Sequence, residues 1–488
     1  MVLKSDRKEQ LNPVQFYQDE VISVSGAERI ISVIASARVT KVEPENGEIR
    51  VGYRLNYKVI YKGAEIDCLE ETADRQTVIR QAGVTPKSVV CVDAQVISTE
   101  YVGTTSLKVR LNIELSGYVI SERDWECVDS NEGWQVKNSA VSVEHITPVN
   151  EKEIVAEHDF ELKEGLGRIL TYNTQVSIKS VRAANEISEV DGECYTYITY
   201  LNDQNLLSRC LTVPFHTEIL VEEIKEDSLV YLSGVANSTT ITLPDGEGST
   251  NVRLEVVVGL KGYAINRALC DVVCDAYSTT KELKCNYAEL TVDDSLCLTG
   301  IRDRLSGSVR LEEDQPRVRS VLCVCPPAVG AVTVTKNDDI MVEGIVSCDI
   351  LYLDEQDGVG KILAEIPYRV QVTEEFACTE QLSARVMAYN LSARARHNDE
   401  IEVNGEITVE LFGASFRTVR AVASAEEGAE KECSDVAISL YLVRSGEDLW
   451  DVAKAMSTDE DTLMRLNPDV ELPLKGGEKI LLYRPIED

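Results

Sequence analysis

Histidine is scarce in this chain, which has only His145, His158, His216 and His397 among its 488 residues. Each lies in a different segment, so no pair has the spacing of a metal site or of a base placed beside a nucleophile. No Gly-x-Ser-x-Gly elbow occurs either. The nearest approach to a phosphate loop is Asp357-Gly358-Val359-Gly360-Lys361. Its glycine spacing is wrong and no Ser or Thr follows the lysine, so it reads as a turn between two strands. These absences point away from catalysis, from a bound metal and from any cofactor. Long apolar runs are missing too. With no stretch of about twenty such residues, no transmembrane helix is expected. The opening Met1-Val2-Leu3-Lys4-Ser5-Asp6-Arg7-Lys8 has no apolar core, and no signal peptide is expected.

Positive charge is the other deficit. Lys and Arg total 49 against 83 Asp and Glu, a formal net charge of −34. Such a surface repels phosphates, which argues against nucleic acid or an anionic membrane as a partner. The acidic surface is either simply solvated or turned toward a basic protein. The fourteen cysteines are scattered. Cys270 with Cys274 and Cys323 with Cys325 are the closest groupings, and neither has the second pair that zinc needs. Without an export signal all fourteen are expected to be reduced thiols, with Cys194 and Cys348 shielded on strands.

What the chain does have is β patterning. Tyr53-Arg54-Leu55-Asn56-Tyr57-Lys58-Val59 alternates apolar and polar, as does Leu107 to Leu115. Alternation puts one face on a core and the other in water, the habit of antiparallel sheets. Asn46-Gly47, Asp245-Gly246 and Asn404-Gly405 are candidate hairpin turns. Helix is expected to be minor, with one candidate around Glu70–Ala82.

The pattern also repeats, at a period of about 145 residues. An arginine opens each unit at Arg29, Arg168 and Arg317. A glycine follows at Gly52, Gly192 and Gly344, and Leu115-Ser116-Gly117-Tyr118, Leu260-Lys261-Gly262-Tyr263 and Leu411-Phe412-Gly413-Ala414 close the units. That period is too long for a solenoid and fits whole domains in tandem. The expected architecture is mainly β: three antiparallel β-sandwich-like or open-barrel domains over 1–128, 129–275 and 276–430, then a small α+β domain over 436–485. Linkers are expected near 128–140, 270–285 and 424–436, where apolar alternation lapses; Trp125 and Trp134 in the first connector read as packing residues.

The last fifty residues have a different code. Leu440 to Val443 predicts a strand and Gly446 a sharp turn. Leu449, Val452, Ala453 and Met456 then line one face of a helix. Thr458 followed by Asp461 predicts the cap of a second helix that buries Leu463 and Leu466 and stops before Asn467-Pro468. Gly476-Gly477 turns into a closing strand, Lys479 to Tyr483. The order is strand, helix, helix, strand.

This segment resembles a LysM domain. The pattern aromatic-x-Val-x-x-Gly-Asp-Thr-Leu-x-x-Ile-Ala is met at Tyr441, Val443, Gly446, Leu449, Val452 and Ala453, with Asn467-Pro468 also in place. Glu447-Asp448 departs from the usual Asp-Thr, although Asp448 can still cap the helix. The resemblance implies a binding surface at Gly446, Glu447, Asp448, Trp450, Lys454, Asn467 and Pro468, and an affinity for peptidoglycan or N-acetylglucosamine. Trp450 reads either as a packing residue or as an exposed binding anchor.

Three such β-domains ahead of one LysM resemble the SPOCS-domain family of spore-coat proteins. That resemblance implies a non-enzymatic scaffold in the mother-cell cytoplasm, at the surface of the developing spore. Its implied partners are the basement-layer ATPase of the stage IV sporulation protein A type, contacted through the LysM domain, and other coat proteins. The alternative is a peptidoglycan-binding anchor of the wall or cortex.

Overall fold

The computed structural model describes residues 2–483 except 130, 132, 203–204, 314, 338, 357, 373–379 and 432–437. The described chain is mainly β, with two short helices near its C-terminal end. The first third holds β1 (Val2–Gln10), β2 (Val14–Ser23), β3 (Arg29–Glu45), β4 (Glu48–Lys62), β5 (Ile66–Arg80), β6 (Val89–Val102) and β7 (Ser106–Glu126). The middle holds β8 (Trp134–Leu166), β9 (Arg168–Ala184), β10 (Ile187–Asn202), β11 (Asn205–Leu220), β12 (Leu229–Thr242) and β13 (Ser249–Ser278). Next come β14 (Lys281–Arg310), β15 (Val318–Val324), β16 (Ala328–Val329), β17 (Thr333–Lys336), β18 (Ile340–Asp354), β19 (Val359–Val372), β20 (Gln381–His397) and β21 (Glu400–Glu430). The chain ends with β22 (Ile438–Leu442), α1 (Leu449–Met456), α2 (Glu460–Leu466) and β23 (Lys479–Tyr483).

One antiparallel plan recurs three times. A meander, β3-β4-β5, faces a sheet in which β7 is flanked by β6 on one edge and by β1 and β2 on the other. In the middle third β9-β10-β11 faces β12-β13-β8, with the single strand β8 in the place of β1 and β2. In the last, β18 with its neighbours faces β14-β21-β20. The alternation explains the pairing. Val51, Tyr53, Leu55, Tyr57 and Val59 of β4 point one way and meet Leu107, Val109, Leu111 and Ile113 of β7 in one core. Equivalent cores join β10 to β13 and β18 to β21.

The recurring glycines have steric causes. A Cβ on Gly262 would lie 1.9 Å from the Tyr231 carbonyl oxygen of β12, and one on Gly117 would lie 2.0 Å from that of Cys91 in β6. Only glycine lets these strands approach so closely. At Gly192 and Gly344 the ring of the cross-strand partner, Phe215 or Tyr368, lies over the bare backbone.

The three sheet pairs close on one another. Arg29 donates to the Val359 carbonyl at 2.6 Å, and Arg168 donates to the Ile66 carbonyl at 2.6 Å, so the first two opening arginines reach from one unit to another. At the opposite end β1 with β7, β8 with β13, and β14 with β21 run on as three two-stranded ribbons. These share a core of Leu3, Val141, Val143, Val272, Leu290, Val292, Val419 and Ala421. Between the two ends, Arg385 pairs with Asp93 at 3.2 Å and donates to Tyr231, while Lys261 reaches Asp93 at 3.3 Å. Asp93, Lys261 and Arg385 come from different thirds of the chain.

Four sequence readings are corrected. Residues 70–80 belong to β5, not a helix, because pairing with β4 turns Ala73, Thr77 and Ile79 inward and leaves the charged residues to cross-strand partners such as Arg54–Asp74 at 2.8 Å. Asn404-Gly405 lies inside β21 rather than in a turn, whereas Asn46-Gly47 and Asp245-Gly246 do turn the chain. Residues 134–140, 270–278, 281–285 and 424–430 are strand, not linker. The acidic run of β21 is held by pairing to β14, by Lys281 on Glu427 at 2.6 Å and by Trp134 Nε1 on Glu427 at 2.9 Å. Cys297 is disulfide-bonded, so the expectation of fourteen free thiols fails there. Eleven others are free, Cys194 and Cys348 buried among them, and Cys378 and Cys433 lie outside the described residues.

Candidate functional site

The C-terminal module has a core of Val443, Leu449, Val452, Ala453, Met456, Leu463, Ile480 and Leu482, which is the inward face of both helices and of the β22–β23 pair. The turn that opens it is built by two acids. Glu447 accepts from the Arg444 amide at 2.8 Å and from the Tyr441 hydroxyl at 2.9 Å. Asp448 caps α1: it accepts from the Asp451 amide at 2.9 Å, and the Asp451 carboxylate accepts from the Asp448 amide at 3.1 Å. Gly446, just before them, has φ +91°, a left-handed value that glycine adopts without strain. The second helix is capped by Asp459, whose carboxylate accepts from the Thr462 amide at 2.7 Å; Thr458 is buried instead.

The residues singled out from sequence divide sharply. Gly446, Asp448 and Pro468 are exposed and Glu447 is half-buried. Asn467 is buried, and its amide pins α2 to β23 through the Leu463 and Leu481 carbonyls and the Leu481 amide, each at 2.8 Å. Trp450 is only 5% exposed, but its cover comes from the β ribbons as well as from the module. Its ring packs edge-on against Tyr277 of β13 at 4.8 Å, and its Nε1 donates to Asp275 at 2.9 Å. Lys454 reaches the same carboxylate at 2.6 Å.

Asp275, Tyr277, Tyr287 and Lys137 were not legible in the sequence as site residues, because strand pairing alone brings them here. The one local signal was Trp450, set beside the apolar face of α1 rather than on it. Burial alone would push the Asp275 carboxyl up; hydrogen bonds from Lys454, Trp450 and Tyr287 outweigh it and hold the group below its ordinary value. Tyr277 donates to the Thr458 carbonyl at 2.7 Å, Lys137 of β8 meets Asp448 at 2.5 Å, and Lys431 donates to Ser278 and Ser457.

Beside this contact a cleft of about 720 Å³ opens between module and ribbon. Val136, Lys137 and Asn138 form one wall; Gly446 to Trp450, Glu460 and Leu472 to Leu474 form the other. Its lining mixes apolar side chains with the carboxylates of Glu447, Asp448 and Glu460 and the Lys137 ammonium. No group of three or more His, Cys, Asp or Glu among the described residues is placed to hold a metal ion.

Comparison with known proteins gives a family match that falls on β3 to β6. Residues 27–102 match the family model described as the SipL, SPOCS domain. The resemblance to SPOCS-domain proteins therefore stands on this segment, which carries the first opening arginine, Arg29, and the first internal glycine, Gly52. No curated protein and no solved structure matches the chain. Among the described residues no helix is long and apolar enough to cross a membrane.

Proposed function

We propose that this chain is a non-enzymatic adaptor of spore-coat assembly, made in the mother cell and working at the surface of the developing spore. The observation that carries the reading is the SPOCS match over residues 27–102. The fold is consistent with it: three sheet pairs share apolar cores, and a compact module at one end lines a cleft with the β ribbon. On this reading 1–128, 129–275 and 276–430 are SPOCS-like units and 436–485 is a LysM-like module that contacts the basement-layer ATPase. The test is binding of the full chain to that purified ATPase. Saturable binding that is lost when residues 436–488 are removed supports the adaptor; no binding overturns it.

A second reading has its own observation. The cleft lies at the turn around Gly446, where the LysM resemblance implies a glycan surface. Titration with N-acetylglucosamine oligomers tests it, and tight binding would make the chain a wall or cortex anchor instead.

A further inference from the structure

The face of the C-terminal module that carries Trp450 and Lys454 is turned inward, onto β13. A single carboxylate organises the contact. Asp275 accepts from Trp450 Nε1, from Lys454 Nζ and from the Tyr287 hydroxyl, the last at 2.8 Å. Among the described residues the joint also has an aromatic pair, Tyr277 with Trp450, and peripheral polar contacts from Lys137, Lys431 and the Tyr277 hydroxyl. Within the module's core, Tyr277 is the residue that comes from the ribbons.

A joint of this make-up differs from the apolar cores that weld the three sheet pairs. Small, polar contacts between folded parts open far more readily than shared hydrophobic cores do. The module also has a core to which its own helices and strands supply every buried residue but Tyr277. We propose that Asp275 is a latch: closed, it buries Trp450 and neutralises Lys454; open, it frees an aromatic ring and a cation on one helix face for a protein partner. An exposed Trp beside a Lys is the kind of surface that anchors a protein interface. The masking role rests on the adaptor reading above; the latch itself does not.

Hydroxyl-radical footprinting of the full chain, read by mass spectrometry at each tryptophan, tests the latch without a partner. In the native chain Trp450 should oxidise slowly relative to Trp125. Asp275→Ala should raise the Trp450 rate about tenfold, the order expected for losing charge-assisted hydrogen bonds, and leave Trp125 unchanged. Should Trp125 also accelerate, the variant has unfolded, and Tyr277→Phe, which removes only the hydroxyl bond to Thr458, decides through a smaller rise at Trp450. Unchanged Trp450 rates in both variants, or a Trp450 already reactive in the native chain, would overturn the latch.

The purified basement-layer ATPase then tests masking. Asp275→Ala should bind it about tenfold more tightly than the native chain, in line with the released closing energy. Equal or weaker binding with Trp450 demonstrably exposed overturns masking. Binding by neither protein overturns the adaptor reading and masking together, while the footprint still decides the latch.

Discussion

Glu144 sits where β8 passes between the other two ribbons, 3% exposed, with Arg267 Nε 3.6 Å from its carboxylate. Burial is the main cause that pushes its carboxyl up, to about 8, with the Asp293 charge adding to it and Arg267 opposing. The sign follows directly. In the unfolded chain the group ionises near 4.5, whereas the folded chain holds the proton until about 8, so stability falls as pH rises through that window. Glu144→Gln keeps the shape and removes the titration. It should raise stability at pH 8 by at least about 1 kcal/mol, and leave it nearly unchanged at pH 4.5. Thermal melts at both pH values measure it; an equal shift at both would show that the carboxyl is not the cause. Asp275 has the opposite sign. Held below its ordinary 3.8, it stabilises docking above that value and loses the effect as pH falls through its folded-state value. Trp450 footprinting should therefore rise in acid before the β cores melt.

At the scale of elements, backbone approach is the least forgiving feature. Gly262→Ala puts a Cβ against the Tyr231 carbonyl oxygen of the neighbouring strand, with no flexible side chain to yield. The substitution should cost about 3 kcal/mol or more, seen as a lowered denaturant midpoint, whereas Gly246→Ala, in a turn with open space, should cost less. In the C-terminal module, Leu449→Asp places a charge in a very small core and should unfold it; helical circular dichroism of the full chain is too weak to report this, so loss of amide protection across Ile438–Leu442 and Lys479–Tyr483 is the readout.

These elements also show what the sequence can carry. The strands of β4 and β7, the turns at Gly47 and Gly246, and the cap at Asp448 were legible because each is a local pattern with a local cause. The glycines at 117 and 262 were visible as a repeat, but their reason, a carbonyl on another strand, was not. Glu70 to Arg80 misled because helix-forming acids are placed on a strand whose partner overrides their preference. Asp275 could not be found at all: nothing near it in sequence marks it, and its role depends on Trp450, about 175 residues away.

For the whole molecule, the shared cores predict that the chain does not come apart at the boundaries where its alternation lapses. Arg267, Lys281 and Lys284 lie in paired strands at the ribbon end, whereas Lys87 and Lys225 lie in exposed turns. Trypsin should cut after Lys87 and Lys225 well before it cuts in the ribbons. An early fragment ending between residues 267 and 284 would mean that the three sheet pairs are separable. The central proposal is that a β body whose residues 27–102 match the SPOCS domain carries a C-terminal module whose partner is a protein. Biolayer interferometry of the full chain against the purified basement-layer ATPase, with N-acetylglucosamine oligomers as the rival ligand, tests it most directly. The account predicts saturable binding to the ATPase that is lost on deleting residues 436–488, with no comparable response to the oligomers. Tight oligomer binding with none to the ATPase would contradict it.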